Sequence, residues 1–390
     1  MAPVAELEPL EELIKLKADL RAASKLLSRS QIRFFVNLYY QIQDFRITSS
    51  AQVRAAEDAE EPNKLLTWQS KVFVSLEGTL KKAMLSYAES KEDGEWALSV
   101  RGIGPVLAAG FLAYIDVTKA PTAGHVWRFA GLDITTKWLG TAGAMKLVKE
   151  LNSSKDLDIE QLLAAAAVAT NRKGENLRAI ATKRGTRELT KTTLTAALAQ
   201  PPWCADLKLL CWKAGQSFMK QHNHPECFYG HIYEERKALE NARNDQGLFA
   251  EQAAKVLEEK NIGKETPTYK AYKGGKLPPA HIDQRAQRYA VKMFLSHLHH
   301  VMYETHFRTP PPRPYAMAIL GHTDYVPPPS WPPKPQPPQH PPPHHDKTPR
   351  HIPHRYPSHL SRPSRESACR EHALDRLRAH LVPVRLDYRC

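Results

Sequence analysis

The sequence is poor in cysteine, has no long apolar run and begins with a charged rather than an apolar segment. Its five cysteines are odd in number and irregularly spaced, which argues against the disulfide framework of a secreted protein. No run of about 18 apolar residues is available to cross a bilayer. The charged N-terminus has no signal-peptide core. These absences predict a protein of the reducing cytoplasm that makes no use of a membrane.

Proline, by contrast, is abundant in one part of the chain. Of 31 prolines, 19 lie between Thr309 and Arg365, where histidine, arginine and serine are also frequent. A segment of this composition cannot bury enough apolar surface to fold. We therefore expect a folded body up to residue 308 and a disordered Pro/His/Arg-rich tail over 309–390.

Positive charge exceeds negative charge in both parts. The formal net charge is +14, to which the tail contributes 12 Lys and Arg against 6 Asp and Glu, and the body 43 against 35. A basic excess in both parts favours a polyanionic partner, and nucleic acid is the simplest one.

Apolar residues in the body recur at helical spacing, and no alternating strand pattern stands out. The sequence therefore predicts a mainly α protein. Its segments are a helical N-terminal arm (a bundle or coiled coil) over 1–92, a central helix-hairpin-helix domain over 93–202, a helical C-terminal subdomain over 203–308 and the tail. The arm is a candidate for self-association, so a homo-oligomer is one expectation.

Two glycines and a proline interrupt the helical pattern in the stretch SVRGIGPVLAAGFLAYIDV, residues 99–117. Glycine costs about 1 kcal/mol and proline about 3 kcal/mol inside a helix, so the cluster predicts a turn between two helices. Gly102 and Gly104 suit positive φ angles. Ile103 is expected to point inward, and Pro105 suits the first turn of the second helix.

This turn is expected to leave main-chain amides unpaired at the start of the second helix, chiefly those of Gly104 and Val106. N–H groups at a helix N-terminus bind anions, and on DNA the anion is a backbone phosphate. Nearby basic side chains would add charge. The predicted DNA-binding residues here are Arg101, Gly102, Ile103, Gly104, Val106 and Lys119. An ordinary αα-hairpin with a glycine turn and no ligand is the alternative.

The last strong helix of the body, AHIDQRAQRYAVKMFLSHLHHVMYE, places Arg285, Arg288 and Lys292 on one face. This stripe is either a second DNA-binding surface or a solvated face. The preceding segment, YKAYKGGKLPP, is predicted to be a flexible basic loop, with stacking of Tyr269 and Tyr272 on nucleic-acid bases as the alternative.

The stretch LSVRGIGPVLAAGFLAYIDVTKAPTAGHVWRFAGLD resembles the C-terminal domain of insertion-sequence transposases that pair a RuvC-like DEDD domain with a helix-hairpin-helix domain. The resemblance covers Leu98 to about Gly140 and continues through 207–220 and 281–299. It implies a DNA-binding protein of a mobile element with a role in DNA transposition and recombination. If the chain is catalytic, the implied reaction is phosphoryl transfer on DNA with a divalent metal such as Mg²⁺.

Two departures from that family bear on catalysis. The family's carboxylates lie on strands of the RuvC-like fold, whereas residues 1–90 here predict helices, so no acidic set is transferred. The family's serine follows its AGL segment in a Ser-Gly pair, but Leu139-Gly140 stands there in this chain. The catalytic residues are therefore unknown, and Ser217, the remaining serine considered, is better explained by a structural role.

A cluster of metal-ligand residue types precedes the last helices: Cys211, His222, His224, Cys227 and His231. Zinc binds cysteine and histidine, but no Cys-x2-Cys pair anchors this set. A structural role is the preferred interpretation, so no metal site and no other cofactor are assigned.

The leading hypothesis is a transposase-like protein that binds duplex DNA with little regard to its sequence. Two alternatives stay open. One is a DNA-bound accessory or scaffold protein without chemistry, and the other is a protein that binds guide or structured RNA through the same basic surfaces.

Overall fold

The computed structural model describes residues 18–133, 135, 138–155, 157–312 and 326–332. Within these ranges the chain forms fifteen helices and no strand, which confirms the predicted mainly α fold. In the same ranges, no helix has the length and apolar character that crossing a bilayer requires. Of the predicted tail, residues 313–325 and 333–390 lie outside the described part of the chain. In chain order the helices are α1 Ala18–Lys25, α2 Arg29–Asp58, α3 Lys64–Glu89, α4 Glu92–Ser99, α5 Pro105–Tyr114, α6 Ala123–Phe129, α7 Gly140–Lys155, α8 Ile159–Ala169, α9 Gly174–Ala181, α10 Lys191–Ala199, α11 Ala205–Lys220, α12 Phe228–Asp245, α13 Ala250–Glu259, α14 Pro267–Lys273 and α15 Pro279–Phe307.

Side chains at the helix starts account for several of these boundaries. Ser28 and Gln31 form a capping box at the start of α2, and Asp158 and Gln161 form another at the start of α8. Asn63 accepts hydrogen bonds from two amides of α3. Each cap satisfies N–H groups that the first helical turn leaves unpaired.

The largest core is aromatic at its centre. The ring of Phe294 on α15 lies 5.2 Å from Phe111 on α5, 5.4 Å from Tyr229 on α12 and 6.1 Å from Trp96 on α4. Such ring pairs contribute about 0.5–1.5 kcal/mol beyond their buried area. The buried members of this core run from Ile32 to Met302, so the arm, the turn and the C-terminal helices share it. The boundaries after residues 92 and 202 stay predictions.

Helices α7–α10 enclose a core of their own, and we call residues 140–199 the inserted lobe. Its buried apolar side chains lie between Ala144 and Leu198 and come from these four helices alone. The chain enters the lobe after Trp138 and leaves it before Trp203, and the two indole rings lie 6.2 Å apart. The lobe is therefore joined to the main core at a neck formed by these tryptophans.

A third, smaller core lies under α13, α14 and the start of α15. The prediction of a flexible loop over YKAYKGGKLPP was wrong for its first part, because that part belongs to helix α14. Tyr272 is buried there, and its hydroxyl lies 3.0 Å from Nδ1 of His281. A tyrosine that packs in this way is not available for stacking on a base.

Residues 326–332 lie against the main core. Trp96 donates its Nε1–H to the carbonyl oxygen of Pro329 at 2.8 Å, and Trp331 donates its own to Glu304 at 2.7 Å. His297 lies 2.9 Å from the carbonyl oxygen of Val326. These contacts hold a short stretch of the predicted tail on the surface of the body.

Candidate nucleic-acid interface

The Gly-Ile-Gly-Pro stretch forms a turn between α4 and α5, as predicted. α4 ends at Ser99 and α5 begins at Pro105, whose missing N–H falls at the first helical position. Gly102 takes a φ of +98°, a conformation that other residues rarely adopt. A Cβ at this position would also lie 3.1 Å from the ring of Phe218. Glycine is therefore required at position 102 for two reasons.

Gly104 departs from the expected positive φ. Its φ of −92° and ψ of 178° are those of a residue that caps a helix N-terminus. Apart from its chain neighbours, no described atom lies within 4 Å of where its Cβ would be. Because no side chain caps the helix, the amides of Gly104, Val106 and Leu107 have no hydrogen-bond partner among the described residues. These amides include the two predicted to bind an anion.

The side chains of the turn face inward while part of its backbone faces solvent. Ile103 is 4% exposed and Val106 is 8% exposed, whereas Gly104 is exposed. Behind the turn, Ala108 and Ala109 are completely buried, which lets neighbouring helices approach α5 closely. The exposed backbone of the turn is therefore that of Gly104, and the side chains of Ile103 and Val106 do not contact a ligand.

Helix α11, distant in sequence, holds the turn in place. Ser217 donates its hydroxyl to the carbonyl oxygen of Gly102 at 2.7 Å. Arg101 donates its Nε–H to the side-chain oxygen of Gln221 at 3.0 Å. Ser217 thus has a structural partner in the turn. Gln221 orients a predicted DNA-binding arginine, and sequence reasoning did not identify it.

The turn forms one wall of a groove of about 1020 Å³ that also involves α2, α3 and α11. Three cationic side chains line this groove, Lys81, Arg101 and Lys213, against one carboxylate, that of Glu226. Lys81 and Arg101 are exposed. The groove therefore has a positive lining beside the unpaired amides, as a phosphate-binding surface requires.

Lys213 is positioned by an aromatic ring. Its ammonium lies 4.1 Å from the centroid of Tyr40, in cation–π geometry. Burial lowers the pKa of Lys213, and the carboxylate of Asp44 opposes that shift. Burial likewise raises the pKa of Tyr40. A tyrosine hydroxyl is protonated at neutral pH in any case, so the hydroxyl of Tyr40 is a hydrogen-bond donor in the groove.

Lys119 lies at the far end of α5 from the turn. The ten residues of α5 extend about 15 Å, and Lys119 follows the C-terminus of this helix. Its ammonium pairs with Asp116 at 3.7 Å, and it does not line the groove. The expectation that Lys119 adds charge to the turn was therefore wrong, because a helix separates the two. A separate DNA contact of Lys119 stays a prediction.

The three basic residues predicted on α15 have different surroundings, and none of them lines the groove. Arg285 pairs with the buried carboxylate of Glu240 at 2.8 Å. Arg288 is exposed and has no ion pair with a described residue. The ammonium of Lys292 lies 5.0 Å from the ring centroid of Trp127. Arg285 therefore stabilises the fold, whereas Arg288 and Lys292 form a surface apart from the turn.

The cysteines and histidines considered for zinc do not converge. Cys211 is buried within α11, and Nδ1 of His222 lies 2.6 Å from the carbonyl oxygen of Met219. The thiol of Cys227 faces the carbonyl oxygen of Arg101 at 3.8 Å. In the part of the chain that the structure describes, no three or more His, Cys, Asp or Glu side chains are grouped so as to hold a metal ion.

Comparisons of this chain with known proteins identify no relative. No protein-family model, curated protein or solved structure matches the chain. The resemblance to insertion-sequence transposases therefore rests on the sequence motif alone.

Proposed function

We propose that this chain binds the sugar-phosphate backbone of duplex DNA through the turn between α4 and α5, as a transposase-like protein of a mobile element. The observation that carries the proposal is the set of unpaired amides at Gly104, Val106 and Leu107 beside a groove lined by three cations. Free amides at a helix N-terminus and the positive end of the helix dipole both attract a phosphate.

A contact of this kind holds DNA without reading its sequence. The amides, together with Lys81, Arg101 and Lys213, are suited to backbone phosphates, whereas base edges are read by side chains that enter the DNA grooves. The turn has no such side chain at 102–104, since two of these residues are glycines and Ile103 is buried. Binding is therefore expected to tolerate any sequence and to weaken strongly with salt.

The role in DNA transposition and recombination rests on the resemblance of residues 98–140 to the transposase domain. The proposal covers DNA binding and assigns strand chemistry to no residue of this chain. A partner subunit would supply the carboxylates if the assembly is catalytic. We place the protein in the reducing cytoplasm, and the free thiols of the described cysteines Cys204, Cys211 and Cys227 support that placement.

Binding of the full chain to unrelated duplexes over a salt series tests the proposal. The logarithm of the association constant should fall linearly with the logarithm of salt concentration, by about 0.9 for each phosphate contacted. Lys213→Gln should remove about one such contact. The charge-matched control is Arg21→Gln on α1, because Arg21 is exposed and does not line the groove, and it should leave the affinity and the salt slope unchanged. Absence of duplex binding at low salt would overturn the proposal.

The alternatives give different results in companion assays. Tighter binding to folded RNA than to duplex DNA at equal salt would favour the RNA-binding alternative. Strand transfer with Mg²⁺ would favour a catalytic protein, whereas duplex binding without it is expected of an accessory factor.

A further inference from the structure

A second surface of cations and aromatic rings lies at the neck of the inserted lobe. The rings of Trp138 and Trp203 are 6.2 Å apart, and the ammonium of Lys208 lies 3.8 Å from the Trp203 ring centroid. On α15, Lys292 lies 5.0 Å from the Trp127 ring. We call this surface the tryptophan strip; its members are Trp127, Trp138, Trp203, Lys208, Arg288 and Lys292.

The geometry of α11 separates the tryptophan strip from the groove. Lys208 and Lys213 are five residues apart on this helix, which places them about 140° apart around its axis. Lys213 contacts Tyr40 in the groove, whereas Lys208 contacts Trp203 and is close enough to Arg288 for the two charges to interact. One helix thus presents cations to two surfaces.

The fold compensates the cations of the tryptophan strip only in part. Burial lowers the pKa of Lys208 and of Lys292, and the nearby charge of Arg288 lowers both further. The carboxylate of Asp133 opposes this shift at Lys292, and that of Glu240, already paired with Arg236 and Arg285, acts in the same sense on Arg288. Arg285, one helical turn before Arg288, is instead paired with a buried carboxylate. Cations that repel one another and are only partly compensated favour an anionic ligand.

Trp138 gives the tryptophan strip an exposed aromatic face. Its side chain is 56% exposed, a large fraction for tryptophan. Its Nε1–H nevertheless donates to the carbonyl oxygen of Ala199 at 2.8 Å, and its ring contacts that of Trp203 edge to face. These contacts fix the ring without covering it. A fixed ring loses little conformational entropy when a planar ligand stacks on it.

We propose that the tryptophan strip binds single-stranded DNA, with Lys208, Arg288 and Lys292 contacting phosphates and Trp138 stacking on a base. Cations beside aromatic rings suit an unpaired strand, because every base has a π face and every nucleotide carries a phosphate. A duplex keeps its bases stacked on one another and cannot use Trp138 in this way. The inference rests on the proposed function in that it takes DNA as the polymer, and it adds a site for a strand separated from the duplex.

The test measures binding of the full chain to a labelled oligothymidine and, separately, to a duplex. Trp138→Ala should weaken oligothymidine binding at least about fivefold, the low end for the loss of one base stack, while Trp138→Phe should retain most of the affinity. Arg288→Gln should reduce the slope of the log association constant against log salt by about 0.7. Arg21→Gln should leave both quantities unchanged, and thermal melting shows whether each variant is folded.

The outcomes separate this inference from the proposed function. Weaker oligothymidine binding in the tryptophan-strip variants, with duplex binding retained, supports the strip. If Arg288→Gln weakens binding but folded Trp138→Ala does not, the contact is electrostatic only and the inference is overturned. Binding of single-stranded RNA without binding of single-stranded DNA also overturns it. If the chain does not bind duplex but its oligothymidine binding behaves as expected, the duplex proposal is refuted and the proposal for the tryptophan strip stays supported.

Discussion

Replacement of Gly104 by aspartate is expected to strengthen the fold and to weaken DNA binding at the same time. Gly104 already has the extended backbone of a helix N-cap, and the space for a Cβ is open. An aspartate therefore fits without strain, and its carboxylate would accept hydrogen bonds from the amides of Val106 and Leu107. The amides that we assign to a phosphate would then be occupied by the protein itself.

The two effects of Gly104→Asp differ in sign and size. An aspartate N-cap is a few tenths of a kcal/mol more stabilising than glycine, and its charge at the helix N-terminus adds about 0.3–1 kcal/mol. For DNA, losing the amide contact costs about 1 kcal/mol. Repulsion between the carboxylate and a phosphate about 4 Å away adds about 1 kcal/mol in water. The sum of about 2 kcal/mol corresponds to roughly 30-fold weaker binding.

Fluorescence anisotropy with a labelled duplex measures the affinity, and chemical denaturation measures the stability. Gly104→Ala is the matched control, because it adds a side chain but leaves the amides free, and it should bind like the parent. Gly104→Asn occupies the amides without a charge and should fall between the two. If Gly104→Asp is folded and binds duplex as tightly as the parent, the assignment of the amides is refuted.

Three further changes test the structure around the site. Gly102→Ala forces a φ of +98° on an alanine and should lower the free energy of unfolding by about 1–3 kcal/mol; an unchanged denaturation midpoint would contradict this. Glu240→Ala removes the buried partner of Arg236 and Arg285 and should lower the free energy of unfolding by about 3–5 kcal/mol. Chemical denaturation measures this loss, and a loss of less than about 1 kcal/mol would contradict the prediction. Burial lowers the pKa of His297 from 6.5 to about 4. The unfolded chain then takes up this proton at a higher pH than the native state does. The contribution of neutral His297 to the free energy of unfolding is therefore fully present above pH 6.5, and up to about 3 kcal/mol of it is lost as the pH drops towards 4. His297→Gln should flatten that pH dependence, and an equally steep profile in this variant would exclude His297 as its source.

The turn could be predicted from sequence because glycine and proline determine local backbone geometry. Gly102 has the expected positive φ, and Pro105 begins the helix as expected. Gly104 lacks the positive φ because the residue before a helix needs an extended backbone. What glycine contributes at position 104 is the absence of a side chain over the amides.

The surroundings of the turn could not be predicted, because they depend on contacts between distant helices. Lys81 and Lys213 join Arg101 in the groove, yet nothing in their local sequence distinguishes them from other lysines. Periodicity placed Arg285 and Arg288 near one face of α15 but could not reveal that a carboxylate of α12 forms an ion pair with Arg285 and not with Arg288.

The packing of the inserted lobe could not be predicted from the local sequence either. Its alanine-rich sequence predicts short helices, and α8–α10 have 11, 8 and 9 residues, whereas α7 has 16. That these helices bury their apolar faces against one another, apart from the main core, depends on three-dimensional packing. The tryptophan strip at the neck follows from this arrangement, since Trp138 and Trp203 lie on either side of the lobe in sequence and meet in space.

The most direct test of the central proposal is an amide NMR titration of the full chain with a short duplex of arbitrary sequence. A phosphate bound at the turn predicts downfield shifts of the amide protons of Gly104, Val106 and Leu107, reversed by added salt and absent in Gly104→Asp. Duplex binding that leaves these three resonances in place would contradict the account.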